Sequence, residues 1–157
     1  MIYSIYREQH VKGDIESIWA FFSSPHNLAE ITPKDMAFVV KSEMEDRSIY
    51  KDQIIDYTVS PILGIPLKWR TRITEVVPLQ RFVDFQESGP YKLWEHTHTF
   101  TPEGDGILIT DHVRYELPFG PLGTLAHQLF VKKKLKNIFD YRHQVLDKKF
   151  NHNTVQL

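Results

Sequence analysis

From Ile2 to Val11 the chain is rich in Ile, Tyr and Val and lacks helical periodicity, which predicts a first strand ended by Gly13. Ile15, Ile18, Trp19 and Phe22 then recur at i, i+3, i+4 and i+7. That spacing predicts a helix capped by Asp14 with one face turned to a core. Ser24 followed by Pro25 marks a second, short helix through Leu28 to Ile31, stopped by Pro33. Between Met36 and Leu117, strand-like segments alternate with turn signals at Gly64 to Pro66, Pro78 to Arg81, Ser88 to Pro90 and Pro102 to Gly106. Six further strands are expected, near 37 to 43, 48 to 58, 67 to 77, 81 to 88, 91 to 101 and 107 to 117. Short connections imply an antiparallel meander, curled around something.

Beyond Pro118 the helical period returns and runs to Phe150. Val131, Leu135, Ile138, Phe139, Val145 and Leu146 share one side, assigned to the sheet, while Lys133, Lys136, Asn137, Asp140, Gln144 and Asp147 share the other. Leu122, Leu125, Ala126 and Leu129 point almost opposite to that apolar stripe if the helix is straight. Either the helix breaks near Phe130, or its first turns meet a different partner: a second copy, another protein, or a ligand entrance that they cover as a lid.

At 157 residues the chain has the size of one domain, 1–157, with no repeat, low-complexity tract or linker to divide it. A chain of this length buries roughly 70% of its unfolded surface, so no disulfide or structural metal is required. There is no cysteine, which excludes thiol chemistry and fits a reducing cytoplasm. Arg7, Glu8, Gln9 and His10 interrupt any export signal near the start, and no apolar run approaches the ~20 residues of a bilayer span, so a soluble, cytoplasmic protein is expected. Nineteen basic against twenty acidic residues argue against nucleic acid. Lys132, Lys133, Lys134 and Lys136 read as a solvated helix face, with contact to anionic lipid as the alternative.

The order strand, two helices, six-strand meander, long helix is that of the α+β helix-grip fold. The run Phe82-Val-Asp84-Phe-Gln86, then Gly89-Pro90-Tyr91, then Trp94-Glu-His96-Thr-His98-Thr-Phe100 resembles a pattern in ligand-binding SRPBCC (START-like) domains, some near or fused to sugar-nucleotide-epimerase-like proteins. Asp111-His-Val113-Arg-Tyr115-Glu-Leu-Pro118-Phe-Gly120 and Ile138-Phe-Asp-Tyr141-Arg142 resemble the same subgroup. The resemblance covers essentially the whole chain. It implies the START-like fold of the major birch pollen allergen and polyketide cyclases: a curved seven-stranded sheet wrapped around the last helix, enclosing a small organic ligand. It implies no particular reaction, since such domains include carriers, cyclases, dehydratases and oxygenase domains.

Strand alternation makes the candidate interior unusually polar. Asp84 and Gln86 share a face with Phe82, His96 and His98 with Trp94 and Phe100, and Asp111 and Tyr115 with Ile109, Val113 and Leu117. Arg142 lies in the middle of the apolar stripe of the last helix. Buried polar groups must bond one another, hold water or meet a ligand. Arg142 therefore either pairs with Asp84 or Asp111, or clamps an anionic group of a ligand. His96 and His98 either orient polar groups, act as acid and base, or share an ion with Asp84 or Asp111. Trp69, Ile73, Trp94, Phe100, Val113, Leu135 and Phe139 either line a cavity or close it as plain core. No phosphate-binding loop and no nucleophile elbow is present.

The reading that follows is a binder of a small, largely hydrophobic ligand, lipid-, polyketide- or aromatic-like, held in a cavity between the sheet and the C-terminal helix, with no cofactor and no metal. Arg142, His96, His98 and Tyr115 would read its polar end. The alternatives are a cyclase- or dehydratase-type enzyme using His96 or His98 with Asp111 or Asp84, and a protein-interaction module with a filled core that works through Leu122, Leu125 and Leu129.

Overall fold

The computed structural model describes residues 1–43, 48–61 and 63–152. Its strands are β1 (Tyr3–Lys12), β2 (Val39–Val40), β3 (Ile54–Val59), β4 (Leu67–Val77), β5 (Arg81–Ser88), β6 (Leu93–Glu103) and β7 (Gly106–Glu116). They form one antiparallel sheet in the order β1-β7-β6-β5-β4-β3-β2. The first and second strands thus lie at opposite edges. The chain between them crosses the sheet as α1 (Ile15–Phe22) and two 3-10 turns, Pro25–Ala29 and Lys34–Met36. Two register shifts in β4, at Arg70/Thr71 and Ile73/Glu75, bend the sheet as bulges do.

Local chemistry explains where the elements start. Asp14 caps α1 by accepting from the Ser17 amide at 2.8 Å. The stripe it launches buries Ile18 and Trp19, and the indole of Trp19 packs edge-on against Phe82 and Phe100. Ser24 makes no side-chain cap, and Pro25 opens a 3-10 turn in place of the expected short helix.

The expected strands at 37 to 43 and 48 to 58 shrink to Val39–Val40 and Ile54–Val59. Ala37 and Asp52 take left-handed backbone conformations, at φ 44° and 68°, which end any strand. The stretch before Ile54 belongs to the connection from β2 to β3, where the Ile49 amide donates to the carbonyl of Ser23 and the Asp52 amide to that of Ile73.

The C-terminal rod runs through α2 (Gly120–Ala126), a π turn (His127–Val131), α3 (Lys132–Leu146) and a second π turn (Asp147–Asn151). It does not break near Phe130. Ala126, Val131 and Leu146 all keep right-handed helical dihedrals, so the path is continuous. Gly123, His127, Val131, Leu135 and Phe139 recur every fourth residue, an interval that drifts about 40° per step on an ideal α-helix. The π turn has more residues per turn and takes up the drift, which keeps this series on the sheet. Leu122, Leu125 and Leu129, with Phe119 and Phe130, are left exposed. Among the described residues no helix is long and apolar enough to cross a membrane.

Candidate functional site

The register of three strands brings the polar residues together. Asp84 stands opposite His96 and Phe82 opposite His98 on β5 and β6, while His98 stands opposite Asp111 on β7. The short hydrogen bonds nevertheless run diagonally. His98 Nε2 donates to Asp84 Oδ2 at 2.6 Å, and His96 Nε2 to Asp111 Oδ1 at 2.8 Å. Directly opposite partners are farther: His96 Nδ1 lies 3.8 Å from Asp84 Oδ2, and His98 Nδ1 lies 3.4 Å from Asp111 Oδ1 without the alignment of a hydrogen bond. Sheet twist makes such diagonal pairs reachable. The imidazoles of His96 and His98 stack 3.7 Å apart at 26°, and Phe82 stacks on the other face of His98 at 4.1 Å.

Arg142 reaches this cluster from α3. Its Nε and Nη2 donate to Asp111 Oδ2 and Oδ1 at 3.2 and 3.0 Å, a two-pronged pair. Of the roles open to Arg142, the structure holds the pairing with Asp111, and Asp84 is left to His98.

Two carboxylates and one guanidinium leave one negative charge, and an uncompensated buried charge is costly. One proton on the histidine pair balances it. Burial opposes that proton on His98, yet the nearby Asp111 carboxylate together with the hydrogen bond and charge of Asp84 outweighs burial and raises its pKa above the ordinary imidazole value. Burial, together with the charge on His98, lowers that of His96. Burial would raise both carboxyls, but His96, His98 and Arg142 hold Asp84 below its usual range, and Arg142 with the two histidines holds Asp111 well below it. The cluster is therefore neutral with His98 charged. His96 then donates through Nε2 and keeps Nδ1 as an acceptor, a tautomer assigned from these bonds.

A cavity of about 140 Å³ opens beside the cluster. Its apolar wall comes from Phe21 and Phe22 at the end of α1, from Pro25, Leu28 and Ile31 in and after the first 3-10 turn, from Phe38 and Ile49, and from Ile55, Ile73, Phe82 and Trp94 on the sheet. Tyr57, Thr71, Asp84, His96, His98 and Arg142 supply most of the polar lining. Asp84 has the most exposed side chain of the charged cluster, 19% against 10% or less for the others.

Six residues singled out from sequence thus border the cavity: Ile73, Asp84, Trp94, His96, His98 and Arg142. The others lie elsewhere. Gln86 spends its amide on the β5–β6 turn, donating to the Tyr91 carbonyl at 2.7 Å and accepting from the Tyr91 amide at 3.0 Å. Asp111 sits behind the histidines, held by Arg142. The Tyr115 hydroxyl meets His127 Nε2 on the π turn at 2.8 Å, and burial pushes its pKa up to about 12. Trp69, packed among Tyr57, Tyr91 and Trp94, leaves its indole N–H without a partner among the described residues. Val113, Leu135 and Phe139 belong to the same packed cluster as Trp69, and Phe100 packs on Trp19 and Phe22. No residue from 119 to 131 borders the cavity, so the leucines of α2 are not its lid.

Sequence reasoning missed Ile55, Tyr57 and Thr71. Ile55 and Tyr57 stand two residues apart on β3 and both line the cavity, as does Thr71 on β4 opposite Ile55.

Asp84, His96 and His98 offer three donor atoms within 4.8 Å of one another, a set of the kind that holds divalent ions. The arrangement present is a hydrogen-bonded cluster.

A protein-family model described as "Domain of unknown function (DUF8410)" matches residues 10–150. No curated protein matches the chain. Among solved structures, a START superfamily protein from Mycobacterium smegmatis is similar at TM-score 0.70 and 15% identity, covering 96% of this chain and 99% of that one. A point mutant of norcoclaurine synthase from Thalictrum flavum, in complex with a transition state analogue, is similar at 0.62 and 18%, covering 95% and 97%. The di-domain ARO/CYC StfQ of the steffimycin biosynthetic pathway is similar at 0.65 and 12%, covering 94% of this chain and 52% of that one. At these identities the likeness is one of fold, and the fold is START-like, as the sequence led one to expect.

Proposed function

Because the chain belongs to the DUF8410 family and carries a START-like fold, its activity has to be read from its own cavity, and we propose that it binds a small, largely hydrophobic organic ligand there. The observation that carries this reading is the about 140 Å³ space with an apolar wall and one convergent polar corner. Ligand sites are built this way, with carbon for affinity and a few polar atoms for orientation. The cavity lies between the sheet, α1 and the 3-10 turn that follows it rather than between the sheet and the last helix as expected from sequence, because the apolar residues of α3 pack against the sheet and only Arg142 of α3 lines it.

The test is to purify the protein natively, extract it with organic solvent and search by mass spectrometry for a stoichiometric compound. Ile55→Trp, which fills the cavity from β3, serves as the comparison once near-ultraviolet dichroism shows it folded. A compound carried by the wild type and missing from the variant supports the proposal. Wild-type protein that carries no compound and takes up none of a panel of small apolar probes overturns it.

A second reading is proton-transfer catalysis of the cyclase or dehydratase kind, favoured by the stacked histidines at the cavity wall. His96, with a free Nδ1 and a lowered pKa, is suited to accept a proton from a bound substrate, and His98 to return one. Norcoclaurine synthase and the ARO/CYC protein show that this fold serves enzymes. On this reading a bound compound exchanges carbon-bound hydrogen for deuterium in heavy water, and His96→Gln stops the exchange without unfolding the protein.

A further inference from the structure

Size narrows the ligand, provided that the binding reading holds. An apolar cavity of about 150 Å³ is known to take up benzene, so the about 140 Å³ here suits one ring with a small substituent. A fatty acyl chain or a multi-ring polyketide would leave part of itself outside this space, which opens to solvent.

The polar corner narrows the ligand further. Arg142 commits Nε and Nη2 to Asp111, and His98 commits Nε2 to Asp84 Oδ2. Two acceptors remain without a hydrogen bond among the described residues: Asp84 Oδ1 and His96 Nδ1, the latter 3.8 Å from Asp84 Oδ2. Both side chains border the cavity. A carboxylate on the ligand would put a third negative charge beside Asp84 and Asp111, in a corner whose charges already balance. A hydroxyl adds no charge, donates to either acceptor, and its oxygen can accept from Arg142 Nη1, which has no hydrogen-bond partner among the described residues.

We infer that the cavity takes a neutral single-ring aromatic compound of the phenol class, its hydroxyl donating to Asp84 Oδ1 or His96 Nδ1 and its ring lying among Phe22, Ile55, Ile73 and Phe82.

The experiment titrates the full chain with p-cresol, toluene, p-toluate and palmitate, by calorimetry and by NMR shifts of the cavity residues. p-Cresol is expected to bind at least tenfold more tightly than each of the others. In Asp84→Asn, shown folded by its NMR dispersion, the p-cresol to toluene ratio falls several-fold. Toluene binding as well as p-cresol overturns the hydroxyl contact while leaving a ligand cavity. Tighter p-toluate overturns the charge argument, and tighter palmitate overturns the size argument. Failure of all four to bind counts against the binding function itself.

Discussion

His96 and His98 stack 3.7 Å apart, and the same two carboxylates, Asp84 and Asp111, face both rings. Neither histidine therefore titrates alone. With Arg142 fixed on Asp111, the cluster is neutral when the pair holds one proton. A second proton, or loss of the first, leaves net charge in a buried place.

Stability should peak at weakly acidic to neutral pH for this reason. The raised pKa of His98 gives stability that is complete below the ordinary imidazole value of about 6.5 and is lost as pH rises through the folded value. His96 is lowered, so below about 6.5 the unfolded chain takes up a proton that the folded one refuses, and stability falls from there toward its folded value. Farther into acid, Asp84 and Asp111 lose theirs as pH drops from about 3.9 through their lowered values. Each limb has a slope of at most about 1.4 kcal/mol per pH unit for one proton. Urea unfolding across pH 4 to 9 checks this, with His98→Gln removing the alkaline limb and His96→Gln the mildly acidic one.

Arg142→Leu should destabilise strongly, because it leaves Asp111 charged, buried and without its two-pronged partner. Removing one member of such a pair costs about 3–5 kcal/mol. Asp111→Asn added to Arg142→Leu takes away the stranded charge, so the double variant should be more stable than the sum of the single losses implies. Urea midpoints of the four proteins close the cycle.

Most of the frame was legible because turn signals bracket β4 and β5, and their observed limits coincide with those read from sequence. β2 and β3 were overextended, since the left-handed residues Ala37 and Asp52 turn the chain shortly before each strand, which no local pattern records. The polar cluster was legible as a set of inward residues. Which acid takes which histidine was not, because twist, not register, selects the diagonal bonds. The two phases of the C-terminal rod were visible in the sequence, but a count at 3.6 residues per turn cannot contain a π turn.

Gln86 should prove structural. Both ends of its amide engage the Tyr91 backbone, so Gln86→Ala strands two backbone groups at the turn between β5 and β6. A loss of about 1–3 kcal/mol is expected, with faster amide exchange at Tyr91. Affinity for a cavity probe should stay within about twofold once the protein is folded, since Gln86 does not border the cavity. Calorimetric titration of the variant with p-cresol checks this.

Gly123 and Leu125, two residues apart on α2, should respond oppositely. A Cβ on Gly123 would lie 2.1 Å from the Pro118 carbonyl oxygen and 3.2 Å from Leu117 Cβ. The obstacle is backbone, so Gly123→Ala must lift the start of α2 away from the end of β7, and the overpacking costs about 1–3 kcal/mol despite alanine's better helix propensity. Leu125 is 52% exposed, so Leu125→Asp should change stability by no more than about 0.5 kcal/mol. Urea midpoints of both variants, measured at a concentration where wild type is monomeric by light scattering, decide the matter. A large loss in Leu125→Asp under those conditions means that this leucine packs inside the protein's own fold. An unchanged Gly123→Ala means that the helix start yields without cost.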